Sequence, residues 1–126
     1  MPSLSDDRDA IRDLLARYIA TADIGRSRAE DWTAFYTDDG EFLQDGAPPV
    51  IGRDALLEFA QTLPDGGVRH MISDHIIEVD GDRATCEATV ALIVGTKWFG
   101  TGRATDDLRR VDGSWRIARR SFVFDT

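Results

Sequence analysis

Near neutral pH, a side chain that moves protons unaided is an imidazole or a carboxylate whose pKa has been shifted by its surroundings. Asp23 is the carboxylate to consider first. Ile11, Leu15, Ile19 and Asp23 are spaced four apart, so on a helix they form one row and Asp23 continues an apolar stripe. At the end of that helix the dipole disfavours negative charge and desolvation acts in the same direction. Its pKa is therefore expected to rise toward the range in which a general acid or base works. The plainer alternative is a solvated Asp at a fraying helix end. His70 is the second candidate, because an imidazole takes or delivers a proton at physiological pH with little tuning; its alternative is a ring satisfied by a nearby backbone group. Tyr18, little more than one turn before Asp23, can donate its hydroxyl to a substrate oxygen. Trp32, Phe35, Trp98 and Phe99 are the aromatics that could line a cavity around these groups, although most aromatics simply fill a core. Alternation sets His75 on the strand face opposite His70, exposed or at a subunit contact.

These groups need elements to position them. Apolar residues at helical spacing from Ser5 to Ala22 predict an amphipathic first helix, with Ser5 as N-cap and Gly25 as the stop. Ala29 to Tyr36 reads as a short second helix, closed by a turn at Asp38, Asp39 and Gly40. A short strand follows from Glu41 to Gln44, then a loop from Asp45 to Pro49 and a third helix from about Arg53 to Leu63. Beyond Gly67 the period changes to that of strands: Val68 to Val79, Arg83 to Val94, Trp98 to Val111 and Ser114 to Phe124. Tight separators, above all Asp112-Gly113, make these four a meander of antiparallel strands. Helices first and a meander second predict an α+β fold with the helices on one sheet face. Strands this long must coil, which leaves a conical space under the helices.

The 126 residues fit one domain, 1–126. A net charge of -8 argues against nucleic acid or an anionic membrane surface as partner, since either would be repelled. The single cysteine, Cys86, excludes an intrachain disulfide and a multi-thiolate zinc site; within a strand it reads as a small buried hydrophobe. No secretory signal and no membrane-spanning stretch is read, so a cytoplasmic location is the expectation. No Gly-rich phosphate loop, nucleophile elbow or metal-ligand spacing occurs. No metal and no cofactor are therefore expected. The arginines from Arg103 to Arg120 read as cross-strand partners of Asp and Glu rather than as an anion site.

Several segments together resemble the SnoaL-like branch of the nuclear transport factor 2-like superfamily. They are Tyr18-Ile19-Ala20-Thr21-Ala22-Asp23, Asp31-Trp32 through Phe35-Tyr36-Thr37-Asp38-Asp39-Gly40, Ile51-Gly52-Arg53, Arg69-His70, Ile77 through Ala84, and Arg109 through Ile117. The resemblance implies a cone-shaped α+β barrel with a deep pocket, commonly a homodimer through the outer sheet face. Members include scytalone dehydratase, ketosteroid isomerase, limonene epoxide hydrolase, polyketide cyclases, dioxygenase small subunits and non-enzymatic binders. In scytalone dehydratase-like members a helix-end Asp and a strand His face each other in the pocket, and Asp23 and His70 match those positions. Near Val94, where the dehydratase has a second catalytic histidine, this chain has none. The hydrolase pattern would need an Asp beside an Arg, for which Arg103 with Asp106 or Asp107 is the candidate.

The expected function is a cofactor-independent acid/base enzyme, of dehydratase, isomerase or cyclase type, acting on a small and mostly apolar ring. Asp23, His70 and Tyr18 would be its catalytic residues. The alternative is a non-catalytic small-molecule-binding or accessory domain of the same fold.

Overall fold

The computed structural model describes residues 3–126. Helix α1 runs over Leu4–Ile24. Its cap is Ser3 rather than Ser5, because Ser3 has an acid three residues on. Ser3 Oγ accepts the Asp6 N–H at 3.1 Å, and Asp6 Oδ2 accepts the Ser3 N–H at 3.3 Å. Gly25 stops the helix at φ 101°, where an added Cβ would stand 1.8 Å from the Pro64 carbonyl oxygen. A 3-10 turn over Arg26–Arg28 leads into α2, Ala29–Ala34. This helix is shorter than the expected Ala29 to Tyr36, since Tyr36 already opens strand β1, Tyr36–Gln44. Asp38, Asp39 and Gly40 lie inside that strand. Their turn chemistry serves an irregularity in register between Tyr36 and Glu41.

A two-residue strand β2, Val50–Ile51, pairs antiparallel with β1. Helix α3, Arg53–Ala60, ends three residues earlier than the pattern predicts. The four long strands follow as expected: β3 Val68–Asp80, β4 Arg83–Val94, β5 Lys97–Val111 and β6 Ser114–Phe124. The sheet order is β2-β1-β6-β5-β4-β3. The β3 to β6 meander is antiparallel, whereas β1 lies parallel to β6. The sheet is curved and unclosed, with β2 and β3 as its edges.

Bulges decide which side chains face inward. Between Ser73 and Ile76 the β3 register shifts, and Asp74 takes a left-handed φ of 57°. The extra residue reverses the alternation: Val68, His70 and Ile72 face the helices before it, and His75, Ile77 and Val79 after it. His75 is thus on the same face as His70, which overturns the expectation from simple alternation.

The α1 row Ile11, Leu15, Tyr18 and Ile19 packs on Ile77, Cys86, Leu108, Trp115 and Ile117 in one cluster. At the helix start, buried Asp7 accepts from Trp115 Nε1 at 3.3 Å and pairs with Arg110 at 3.0 Å, tying α1 to the last hairpin. Among the described residues no helix is long and apolar enough to cross a membrane.

Candidate active site

The core does not fill the far end of the coiled sheet. Between the second half of α1, α3 and the strands lies a cavity of about 310 Å³, at the small end of ordinary ligand sites. Its walls are apolar: Ile19 and Ala22 from α1, Trp32 from α2, Phe42 from β1, Phe59 from α3. Phe122 and Phe124 add two rings of β6, packed edge to face at 4.7 Å between centroids. Four polar side chains reach this hollow: Tyr18, Gln44, His70 and Arg120.

Asp23 and His70 come together from 47 positions apart. His70 Nδ1 lies 2.6 Å from Asp23 Oδ1, and the His70 backbone N–H donates to both carboxylate oxygens, at 3.1 and 3.2 Å. The carboxylate is clamped by one residue of the partner strand. It stands behind His70 rather than in the cavity wall, which contains His70 and the neighbouring Ala22 and Ile19. With Nδ1 engaged, Nε2 is the imidazole nitrogen left for a ligand.

Tyr18 is 3% exposed, and its hydroxyl bonds to that of fully buried Tyr36 at 2.7 Å. Burial pushes the Tyr18 phenol up to about 12, against the pull of nearby Arg120. It therefore remains a protonated donor at neutral pH. Arg120 sits over the Tyr18 ring, its guanidinium carbon 5.0 Å from the centroid. Its Nη1 donates to both oxygens of Asp106, at 3.0 and 2.8 Å, and both side chains are almost fully buried. Burial pushes Asp106 up and Arg120 pulls it back. Burial would lower Arg120, but the carboxylate holds it above its ordinary value.

The other sequence candidates separate. Trp32 is in the cavity wall. Phe35 is not: it lines an open depression with Arg17 and Asp31 and meets Tyr18 edge-on from behind, at 5.9 Å. Trp98 and Phe99 are also outside the wall, 63% and 62% exposed, because the β4–β5 hairpin runs beyond the helices. Phe99 reaches only the rim, 6.0 Å from Phe124. Arg103 does not meet Asp106 or Asp107; it pairs with Glu87 at 3.2 Å on the outer face.

Sequence reasoning missed Arg120 in the cavity wall with Asp106 as its buried partner, and Phe42, Phe59, Phe122 and Phe124 as the lining. The alternation of Phe122 with Phe124 was a usable signal. The inward phase of Arg120 was not, since it depends on the register shift between β5 and β6. Cys86 is fully buried, and burial pushes its thiol up to about 11, so it is a poor nucleophile. A larger depression of about 650 Å³ on the outer side of the sheet is open and charged, with Asp39 already paired to Arg109.

Comparisons agree with this architecture. Rv3472, a protein of unknown function from Mycobacterium tuberculosis solved as an Asp-to-Asn variant, is 36% identical with a TM-score of 0.84 over 94% of this chain and 72% of that one. A candidate scytalone dehydratase from Novosphingobium aromaticivorans is 24% identical with a TM-score of 0.81, covering 95% of this chain and 85% of its own. LinA is 21% identical with a TM-score of 0.80, over 95% of this chain and 86% of its own. The last two likenesses show the fold alone. No curated protein sequence matches the chain significantly. The family model described as a SnoaL-like domain matches residues 3–121, and with the helix-capped, curved sheet and its cavity this shows that the chain belongs to the SnoaL-like family.

Proposed function

We propose that the protein is a cofactor-independent acid/base enzyme, a lyase or isomerase, acting on a small and mostly apolar cyclic molecule held in this cavity. The observation that carries the reading is the 2.6 Å contact between His70 and Asp23 at the wall of an otherwise apolar hollow. With Nδ1–H donated to the carboxylate, Nε2 keeps its lone pair and removes a proton from the substrate. Asp23 orients the ring and stabilises the imidazolium that forms. His70 then returns the proton to the leaving group or to another carbon. Tyr18 orients a substrate oxygen. The dry walls favour this chemistry, because fixed dipoles act more strongly where water is excluded. A solved structure of the same fold, named as a candidate scytalone dehydratase, supports the class.

The working unit is a homodimer through the outer sheet face. Met71, Ile76 and Val123 are each more than half exposed there, at strand positions alternating with inward ones, and exposed Trp98 lies at the end of the β4–β5 hairpin. A neighbouring copy would cover them.

The test follows turnover, and solvent deuterium entering the carbon framework, across a panel of cyclic hydroxyketones and enones. His70→Ala is expected to lose about 10² to 10⁴ in rate and Asp23→Asn about 10², with ligand affinity held. Unchanged turnover in both variants removes the dyad from the chemistry. Binding without turnover by the parent protein favours a binding domain.

A further inference from the structure

The dyad is one pole of the cavity. The other lies on β6, three strand spacings from β3 in the order β6-β5-β4-β3, or about 14 Å measured along the curved sheet. From there Arg120 reaches in, 5% exposed. Among the described residues, only Asp106 accepts hydrogen bonds from its side chain, and only through Nη1. A guanidinium has five N–H donors. Those on Nε and Nη2 have no protein acceptor, although the group is otherwise withdrawn from water. The Tyr18 ring, also in the cavity wall, lies 5.0 Å from the guanidinium carbon, and Tyr36 can donate to the Tyr18 hydroxyl and so free its proton for a ligand.

We infer that the free N–H groups of Arg120 and the Tyr18 hydroxyl form an acceptor-binding subsite that selects an uncharged oxygen, such as a ketone carbonyl, over a carboxylate. The selection follows from Asp106. Its two oxygens both accept from Nη1, so the buried pair carries no net charge. Asp23 adds a negative charge at the other pole. A carboxylate entering this space would lose its hydration and find no net positive charge in return. A carbonyl loses less and gains the same N–H and O–H donors. The substrate is thus a neutral, ring-sized molecule with its acceptor at Arg120 and its labile proton toward His70. Tyr36 is a positioning residue for Tyr18. This inference deepens the proposed function by taking the cavity as the substrate site, but it does not depend on proton transfer by His70.

Isothermal titration calorimetry with three probes of one shape tests it: 2-acetylnaphthalene, 2-ethylnaphthalene and 2-naphthoate. The parent protein is expected to bind the ketone about tenfold more tightly than the hydrocarbon, and more tightly than the carboxylate. Asp106→Asn leaves Arg120 uncompensated, so 2-naphthoate should gain about tenfold while the ketone changes by less than about threefold. Should that variant not fold, the double replacement Asp106→Leu with Arg120→Met decides the matter, and it is expected to abolish the ketone's advantage. Equal affinity for ketone and hydrocarbon, a parent preference for the carboxylate, or a carboxylate affinity indifferent to Asp106→Asn would each overturn the inference. The titrations read affinity and not turnover, so a failed dyad and a failed subsite are distinguishable.

Discussion

At the scale of single residues, the charged groups that this protein buries are paired. Asp106 and Arg120 are 1% and 5% exposed, and neither could be left alone in that environment. Asp106→Ala would strand the guanidinium, and the expected loss is about 3 to 5 kcal/mol of folding stability, measured by urea denaturation. Replacing both partners by apolar residues of similar volume should recover most of it, since a buried pair contributes little over good packing. A single replacement no more harmful than the double one would show that the pair is wetter than the structure makes it. Asp23 and His70 differ from that pair. Their side chains are 17% and 30% exposed, and the bond is reinforced by the His70 backbone N–H. The imidazole is thereby held in one orientation while one nitrogen stays open.

At the scale of elements, β3 matters most, because its bulge sets two histidines on one face. His70 reaches the cavity, whereas His75 is directed at the core, and its Nε2 is buried without a partner among the described residues. Burial lowers the His75 pKa, with Arg12 of α1 and Arg120 of β6 acting in the same direction and Asp74 opposing them. The sign of the linkage follows from this. The unfolded chain takes up a proton at His75 near 6.5, but the folded chain does so only at lower pH. Stability is therefore intact above about pH 6.5 and declines as the pH falls from there through the folded-state value. His75→Gln, neutral throughout, should lose less stability than the parent between pH 7.5 and pH 5. Parallel declines in the two proteins would show that His75 protonates freely when folded.

At the scale of the whole molecule, the sheet has two unlike faces. The inner one is covered by helices and holds the cavity; the outer one presents Met71, Ile76, Trp98 and Val123 to solvent. A dimer formed there would leave the helix-covered inner face free and suit a chain with a net charge of -8, whose repulsion must be overcome by apolar area. Sedimentation velocity should find the parent at twice the chain mass. Met71→Lys combined with Val123→Lys should move it to the chain mass while leaving the far-ultraviolet spectrum unchanged. A parent that sediments as a monomer at micromolar concentration would sink this arrangement.

The sequence alone determined what depends on near neighbours along the chain. The amphipathic row of α1, the stop at Gly25 and the limits of β4 and β6 follow from spacing and turn chemistry, and the family likeness placed Asp23 and His70 as a facing pair. Only the tertiary structure decided which residues share the cavity. The parallel β1–β6 pairing, the Arg120–Asp106 contact and the Tyr18–Tyr36 bond join segments 14 to 81 positions apart, and no local pattern encodes their registers. Bulges are the physical reason for the largest surprises. One extra residue in a strand exchanges its two faces, so it turned His75 inward, and no hydrophobic periodicity announces where such an insertion falls.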